Sequence, residues 1–437
     1  MKNKIILFCL LSFNSLYAQV LFPSEAYDLA LKNSNQIQSS TFKLEAKKED
    51  LNQWYSKYYP QIDFTIDYND TDFEYNELTN RTNYDITEKS LDTALSLRQS
   101  LYNNETITKI DLEKKRIKLY EIGLKKEQQK LSTEVFNYYF TALNSKNKIR
   151  LLNSYRLLNE QKLKAVEKRY KMTISSKMDL LEASVELSRS KIDLIKEEKL
   201  YKSYILKLAQ LTNVKDIELP KINFEKFELS SIINNKVLLK NENIYLQNNL
   251  EYKEANESVN LANLELQNAK SSHYPKLDFD ARYTKFDSDD ITTDYENSMR
   301  WSVKLTIPLY TGGYVSSRVK SAKISQQSSF EDLEVVKKDL TLKHDELLSL
   351  LNTSIQSVEV YKEALSSSQS YLEFTSQGYS NGLKSLIDLY NARSKIFEIK
   401  YEYIKNIQEF IQVYVEYLIL NNDVQKLKQI DSIIKKG

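Results

Sequence analysis

The sequence predicts a mainly α-helical chain with a small transmembrane β part. Its four strands per chain would have to close with other copies, as a trimeric, 12-stranded barrel continued by long coiled-coil helices. Three observations predict this. Turn-forming residues are scarce, with Gly 6 and Pro 5 in 437 residues, so the elements must be long. Four segments alternate apolar and polar residues with period two, as half-buried strands do. No stretch beyond the N-terminus approaches the roughly 20 apolar residues of a membrane helix, so any membrane span has to be β.

Composition narrows the class further. The chain carries 62 basic and 60 acidic residues, a net charge of +2, and no basic stripe with interleaved aromatics, which argues against nucleic acid. Tyr 31 is a high count, and tyrosine suits positions with one apolar and one wet side, such as membrane interfaces and amphipathic seams.

The chain opens Met1-Lys2-Asn3-Lys4, continues with an apolar run from Ile5 to Leu11, and reaches Ser15-Leu16-Tyr17-Ala18. That order of charged, apolar and small residues predicts a signal peptide over residues 1–18. Cleavage after Ala18 makes Gln19 the mature start and removes Cys9, the single cysteine. Phe8 precedes Cys9 where a lipoprotein signal needs a small residue, so no lipid anchor is expected.

Landmarks then recur in order. Lys32-Asn33-Ser34-Asn35 returns as Lys240-Asn241-Glu242-Asn243. Tyr59-Pro60-Gln61-Ile62-Asp63-Phe64 returns as Tyr274-Pro275-Lys276-Leu277-Asp278-Phe279. Leu101-Tyr102 returns as Leu309-Tyr310, and Tyr170 with Asp179 returns as Tyr379 with Asp388. Two structural repeats are expected, 19–227 and 228–437.

Each repeat holds one strand pair, at about 60–68 with 91–101 and about 275–284 with 299–308. Ile62, Phe64, Ile66 and Tyr68 alternate with Gln61, Asp63, Thr65 and Asp67; Met299, Trp301, Val303, Leu305 and Ile307 alternate with Arg300, Ser302, Lys304 and Thr306. Segments close to the 9–11 residues of a tilted membrane strand, with full charges on the wet face, fit lipid outside and water inside. Tyr58, Tyr59, Tyr274 and Trp301 are candidates for aromatic girdles. The polar stretches Asn69 to Ser90 and Lys285 to Ser298 read as surface loops. Four strands leave open edges, which lipid does not tolerate, so copies must join; two chains give a barrel filled by side chains and three give 12 strands with a channel.

The remainder reads as helix, at about 36–57, 104–172 and 177–211 in the first repeat and 244–272, 314–378 and 383–421 in the second. The two longest would each extend roughly 100 Å. In the last, Ile396, Ile399, Tyr403, Ile407, Phe410, Tyr414 and Tyr417 step by three and four, a seam that buries against neighbouring helices. Short helices stacked end to end would nearly match the long ones, giving a wall of uniform height. Segments from Thr212 to Asn235 and after Asn422 would lie outside that wall as a belt.

Strand pairs, long helices and duplication together resemble the TolC-like outer-membrane efflux protein family along essentially the whole mature chain. Ile307-Pro308-Leu309-Tyr310-Thr311-Gly312-Gly313 is similar to the family's strand-to-helix junction, where Pro308 can end a strand and Gly312 and Gly313 permit a sharp turn. The first copy, Gln99-Ser100-Leu101-Tyr102-Asn103, lacks the glycines.

The resemblance implies an outer-membrane exit duct, with its helical part in the periplasm and a gate at the tips of two helical hairpins, Tyr170 to Asp179 and Tyr379 to Asp388. It carries the acidic aperture onto Asp388, the gating tyrosine onto Tyr379 with Tyr170 as its counterpart, and the basic lock onto Lys384 with Asp179 as partner. Asn391 stands where a second aperture carboxylate is often found. The adaptor-facing tips fall on Thr173-Ile174 and Gly382-Leu383. The implied partners are two further copies in a homotrimer, outer-membrane lipid, a periplasmic adaptor (membrane fusion) protein and an inner-membrane pump of the RND, ABC or MFS type.

No enzyme is expected, and no cofactor or metal. His273 and His344 lie in different elements without neighbouring ligands, and no phosphate-binding loop or GxSxG is present. Carboxylates such as Glu197 and Glu198 read as a solvated helix face. A different class, a secreted or periplasmic coiled-coil scaffold with a soluble sheet, uses the same local patterns.

Overall fold

A computed structural model describes residues 19–76, 83–221, 244–288, 297–423 and 426; the predicted signal peptide, residues 222–235 of the predicted belt and most of the chain after Asn422 lie outside them. The described chain begins with strand β1 (Gln19–Val20) and helices α1 (Pro23–Asn33) and α2 (Asn35–Tyr55). Strands β2 (Gln61–Asn76) and β3 (Asn83–Asn103) lead into α3 (Asn104–Lys171) and α4 (Lys177–Thr212). After β4 (Ile217–Glu218) the pattern returns as α5 (Ile244–Asn248), α6 (Leu250–Ser271), β5 (Lys276–Ser288), β6 (Asn297–Thr306), α7 (Tyr314–Ser380) and α8 (Leu386–Leu420). Among the described residues no helix is long and apolar enough to cross a membrane.

The chain divides into two compact units that cut across the predicted repeats. One comprises Met1–Ile37, Lys126–Asn249 and Asp339–Gly437, the other Gln38–Lys125 and Leu250–Lys338.

The first unit is mainly helical. Its core combines Phe136, Tyr139 and Leu143 of α3 with most of the predicted seam of α8, where Tyr403, Ile407, Phe410, Tyr414 and Tyr417 are buried while Ile396 and Ile399 are half-buried. Each buried side chain contributes on the order of 2 kcal/mol by leaving water. Phe397 of α8 stacks on Tyr155 of α3 at 3.9 Å, and the Gln129 amide donates to the Ile419 carbonyl (2.7 Å). The N-terminal segment is tied in rather than free. β1 pairs in parallel with β4, Leu21 is buried, and the Tyr139 hydroxyl donates to its carbonyl (2.8 Å). Glu197 departs from the solvated reading: it is buried while Glu198 is exposed. Its charge raises the pKa of Lys148, whose own burial prevails and lowers it. Lys148 rests over the Tyr401 ring at 4.9 Å. His344 stacks on Tyr245 at 4.1 Å, a packing role.

The second unit contains one sheet, ordered β2-β3-β5-β6, antiparallel throughout. The register puts Ile62, Phe64, Ile66, Tyr68, Leu91, Leu95, Leu97, Tyr283, Met299, Trp301, Val303 and Leu305 on one face. Asp63, Asp67, Asp92, Arg98, Asp278, Asp280, Arg282, Arg300 and Lys304 lie on the other. Trp301 and Tyr68 are both more than 60 % exposed, an apolar face this large being unsuited to water.

The strands differ from their predicted bounds. Both flanks of the stretches read as loops are strand: β2 and β3 stay paired from Tyr68↔Leu91 out to Asn76↔Asn83, and β5 reaches Ser288; the stretches' middles, 77–82 and 289–296, lie outside the described residues. Past Tyr68 the apolar alternation stops, with Asp70 and Asp72 on the face that carried Ile66. Backbone pairing does not need that alternation, so a pattern search ends the strand too early. β6 ends at Thr306, leaving Ile307 and Pro308 outside it. Gly312 and Gly313, at φ +63° and +85°, lead the chain into α7 through a left-handed turn that glycine adopts without steric cost.

Candidate functional site

The two hairpin tips, both in the first unit, are built alike. Arg169 to Asp179 aligns without a gap with Gly378 to Asp388, sharing the tyrosine, the capping serine and the aspartate. Both long helices end in a Schellman turn. In the first, Thr173 N–H donates to the Tyr170 carbonyl (2.9 Å) and Ile174 N–H to Arg169 (2.8 Å). In the second, Gly382 N–H donates to Tyr379 (3.1 Å) and Leu383 N–H to Gly378 (2.7 Å). The residue that must turn left-handed is Gly382 at φ +74° in one tip and Thr173 at φ +60° in the other. Thr173 holds a conformation that is costly for a β-branched side chain, with its hydroxyl donating to the Met172 carbonyl (2.6 Å).

Three residues after that turn residue, each tip starts the returning helix with a reciprocal cap, serine to aspartate. Asp179 N–H donates to Ser176 Oγ (3.1 Å) and Ser176 N–H to Asp179 Oδ2 (2.8 Å). Asp388 N–H donates to Ser385 Oγ (3.1 Å), while Ser385 N–H and Oγ–H donate to Asp388 Oδ2 (2.9 and 2.8 Å). These bonds favour the ionised form, so both carboxyls sit below the ordinary aspartate range. The Ser176 or Ser385 bonds are the main cause, and the charge of Arg169 or Lys384 adds to it.

The other predicted residues gather around these two turns. Tyr379 and Tyr170 are exposed in the last helical turn of α7 and α3, and Lys177 lies 5.6 Å from the Tyr170 ring. Ile174 and Leu383 project outward at the tips, Leu383 at 80 % exposure. Asn391 is exposed one turn beyond Asp388. Among the described residues of this single chain, no ion pair joins Lys384 to Asp179; the Lys384 charge acts on Asp388 instead. The Lys384 stem covers Gly378, where an added Cβ would fall 2.8 Å from its Cγ.

A second cluster, in the other unit, escaped the sequence reading. Glu105, in the first turn of α3, accepts from Lys276 Nζ at the start of β5 (3.0 Å) and from Arg318 Nη1 near the start of α7 (3.3 Å). Arg318 also donates to Ser272 Oγ (2.8 Å) and Asn268 Oδ1 (3.1 Å). Asn268 in turn donates to the Glu105 carbonyl (3.1 Å) and Thr108 Oγ1 (2.8 Å). Burial alone would raise the Glu105 pKa, but the bonds and charges of Lys276 and Arg318 outweigh it and hold it low. This strand-to-helix passage has no glycine. A bulge between Ser100 and Tyr102 and an Asn103 cap, its Oδ1 accepting from Glu105 N–H (3.1 Å), turn the chain instead.

The profile of the outer membrane efflux protein family matches residues 26–214 and 243–412. Among curated relatives, outer membrane protein TolC of Vibrio cholerae is 24 % identical over 403 residues, covering 89 % of each chain. The proteases secretion protein PrtF of Dickeya chrysanthemi is 19 % identical, covering 92 % of this chain and 90 % of its own. Among solved structures, the Campylobacter jejuni CmeC outer membrane channel superposes with a TM-score of 0.77 at 15 % identity, covering 94 % of this chain and 89 % of that one. VceC of Vibrio cholerae gives 0.74 at 13 %, covering 91 % and 95 %. With its four-stranded sheet, paired hairpins and a profile match spanning most of its length, the chain belongs to the outer membrane efflux protein family.

Proposed function

We propose that this chain forms a passive exit duct, gated at its hairpin tips and opened by a periplasmic adaptor and an inner-membrane pump. The family membership makes it a trimeric outer-membrane channel with a periplasmic helical part, for efflux or type I secretion, and not an enzyme. The relatives' names include secretion of proteases for one, while TolC names no cargo.

The observation that supports a gate at the tips is the pair of matching turns, each ending in an aspartate kept ionised by its serine cap. Three copies of Asp388 at a narrow mouth concentrate negative charge, favouring cations and disfavouring anions. Tyr379 and Lys384 from one tip and Tyr170 and Asp179 from the other tie neighbouring hairpins until a partner pulls them apart, a two-state element. Thr173, Ile174, Gly382 and Leu383 form the surface that an adaptor grips, its exposed Ile174 and Leu383 supplying apolar contact. Asn391 gives a neutral second tier.

Single-channel recording of the purified trimer in planar bilayers tests this. Asp388→Asn is expected to weaken cation preference and block by trivalent cations. Unchanged selectivity would move the filter away from the tips.

A further inference from the structure

Sulfur is scarce in this chain and unevenly placed. Met1 and the single cysteine, Cys9, lie in the predicted leader, and Met299 lies on the apolar face of the sheet. The remaining two methionines, Met172 and Met178, bracket the turn of the first hairpin tip. The helical elements therefore hold all their sulfur at one tip.

We propose that Met172 and Met178 form an oxidation-sensitive switch. Conversion of their thioethers to sulfoxides loosens the adaptor's hold on the first tip, and reduction restores it. This rests on the adaptor-contact reading above and adds its regulation.

Three observations support it. Methionine ordinarily fills gaps in a core, yet Met172 and Met178 are 64 % and 76 % exposed, with Ile174 at 61 % between them. The turn thus presents three apolar side chains to water, and an oxidant reaches both sulfurs.

The fold uses neither sulfur. Met172 acts through its backbone, its N–H donating to the Lys168 carbonyl (3.2 Å) and its carbonyl accepting from the Thr173 hydroxyl (2.6 Å). Met178 lies inside the capping box that Ser176 and Asp179 close (3.1 Å), and takes no side-chain part in it. Adding oxygen to either sulfur therefore alters the surface and leaves the turn and the cap in place, which separates a switch from damage.

Charge draws an oxidant in. From Glu167 to Asp179 the first tip carries Lys168, Arg169, Lys171 and Lys177 against two acids, and Asp179 is engaged by its cap. An anionic oxidant such as hypochlorite is concentrated there. The matching stretch of the second tip, Ser376 to Asp388, has Lys384 and Asp388 alone as charges, with Asn381 and Ile387 in place of the two methionines. The tips share a backbone design, and only the first responds to oxidant.

The thioether sulfur gives two electrons to hypochlorous acid; chloride and a proton leave, and one oxygen ends on sulfur. Two thiols of a reductase reverse the step, forming a disulfide and water. The sulfoxide is polar where the thioether was apolar. Two new acceptors then enter an apolar contact, and burying them unpaired costs binding free energy.

Cell envelopes that hold the full-length protein with its own adaptor and pump test the switch. Hypochlorous acid is the probe, and peptide mass spectrometry locates the added oxygen, expected at Met172 and Met178 ahead of Met299. An amine-reactive cross-linker reads the grip through products that join the exposed Lys171 or Lys177 to another protein, each variant being compared with its own untreated sample. The wild type is expected to lose these products on oxidation and to regain them after methionine sulfoxide reductase and dithiothreitol. Met172→Leu with Met178→Leu, apolar but without sulfur, should keep its products through oxidation. Met172→Gln with Met178→Gln, polar without any oxidant, should lack them from the start.

Sulfoxide at both positions with undiminished products overturns the switch, and so does equal loss in the wild type and the leucine variant. Oxidation of Met299 ahead of both tip methionines overturns it too. Absence of any tip product from the untreated wild type would instead overturn the adaptor reading on which the switch rests.

Discussion

Glu105 and Arg318 are 213 residues apart in sequence, yet the Glu105 carboxylate and the Arg318 guanidinium meet at 3.3 Å, where α3 and α7 each leave the sheet. Lys276 completes the bridge from β5. The three side chains therefore join elements that local turn chemistry alone would leave free to swing, and they do so where one of the two strand-to-helix passages has no glycine turn.

Glu105→Gln is expected to lower the stability of the trimer by about 1–2 kcal/mol, discounted because both side chains are about one-third exposed. The direction with pH follows from its lowered pKa. Its contribution is fully present above the unfolded carboxylate value, near about 4.3, and is lost as pH falls through the lower folded value. Urea unfolding of the two proteins should thus differ at neutral pH and converge in acid. A constant difference down to the most acidic conditions would assign the loss to packing.

The left-handed turn residues predict opposite signs in the two tips. Thr173→Gly removes strain and should stabilise its hairpin by about 1 kcal/mol. Gly382→Thr should cost about the same, since no neighbouring atom obstructs a Cβ there and only φ opposes it. Amide hydrogen exchange at Ile174 and Leu383, whose N–H groups close the two turns, reads the change directly. Slower exchange at Ile174 in Thr173→Gly is the expected outcome. Faster exchange would mean that the Thr173 hydroxyl bond outweighs the strain.

The caps set the pH range of the proposed filter. With Ser385 bonded to it, the Asp388 carboxyl titrates below the ordinary aspartate value, so cation preference should persist into acid where a free aspartate would already be neutral. Ser385→Ala removes the Oγ–H donor and the acceptor of Asp388 N–H. The loss of selectivity should then move to higher pH. Reversal potentials measured across a pH series in the wild type and Ser385→Ala check this, and coincident titrations would detach the cap from the filter.

Much of this architecture was legible because its signals are local and repeated. Scarce glycine and proline fixed long helices, and the Ile62 to Tyr68 and Met299 to Ile307 alternations located strands. The heptad-like steps from Tyr403 to Tyr417 located a core. Strand ends were less legible, because pairing past Tyr68 continues through the backbone after the side-chain pattern has stopped. The Glu105 cluster was invisible since its members come from α3, α6, β5 and α7, and no spacing rule links them. The capping boxes could have been found: Ser176 and Ser385 each stand three residues before an aspartate at a helix start. Glu197 misled because a single carboxylate on a charged helix gives no sign of the buried Lys148 and Tyr401 that it shares space with.

Lys384 offers the most direct probe of the lock. Its stem lies over Gly378 in the last turns of α7, leaving no room for a methyl group while it stays there. Gly378→Ala keeps every charge and the helix, and alanine is the better helix former, so its one local effect is to push the Lys384 side chain aside. If Lys384 ties neighbouring hairpins from its present position, Gly378→Ala and Lys384→Ser should both raise the closed-state conductance in planar bilayers, Lys384→Ser by more. A rise in Lys384→Ser alone would place the lock in the lysine charge and not in its position. Unchanged conductance in both variants would assign closure to other contacts, with the exposed rings of Tyr379 and Tyr170 the next to test.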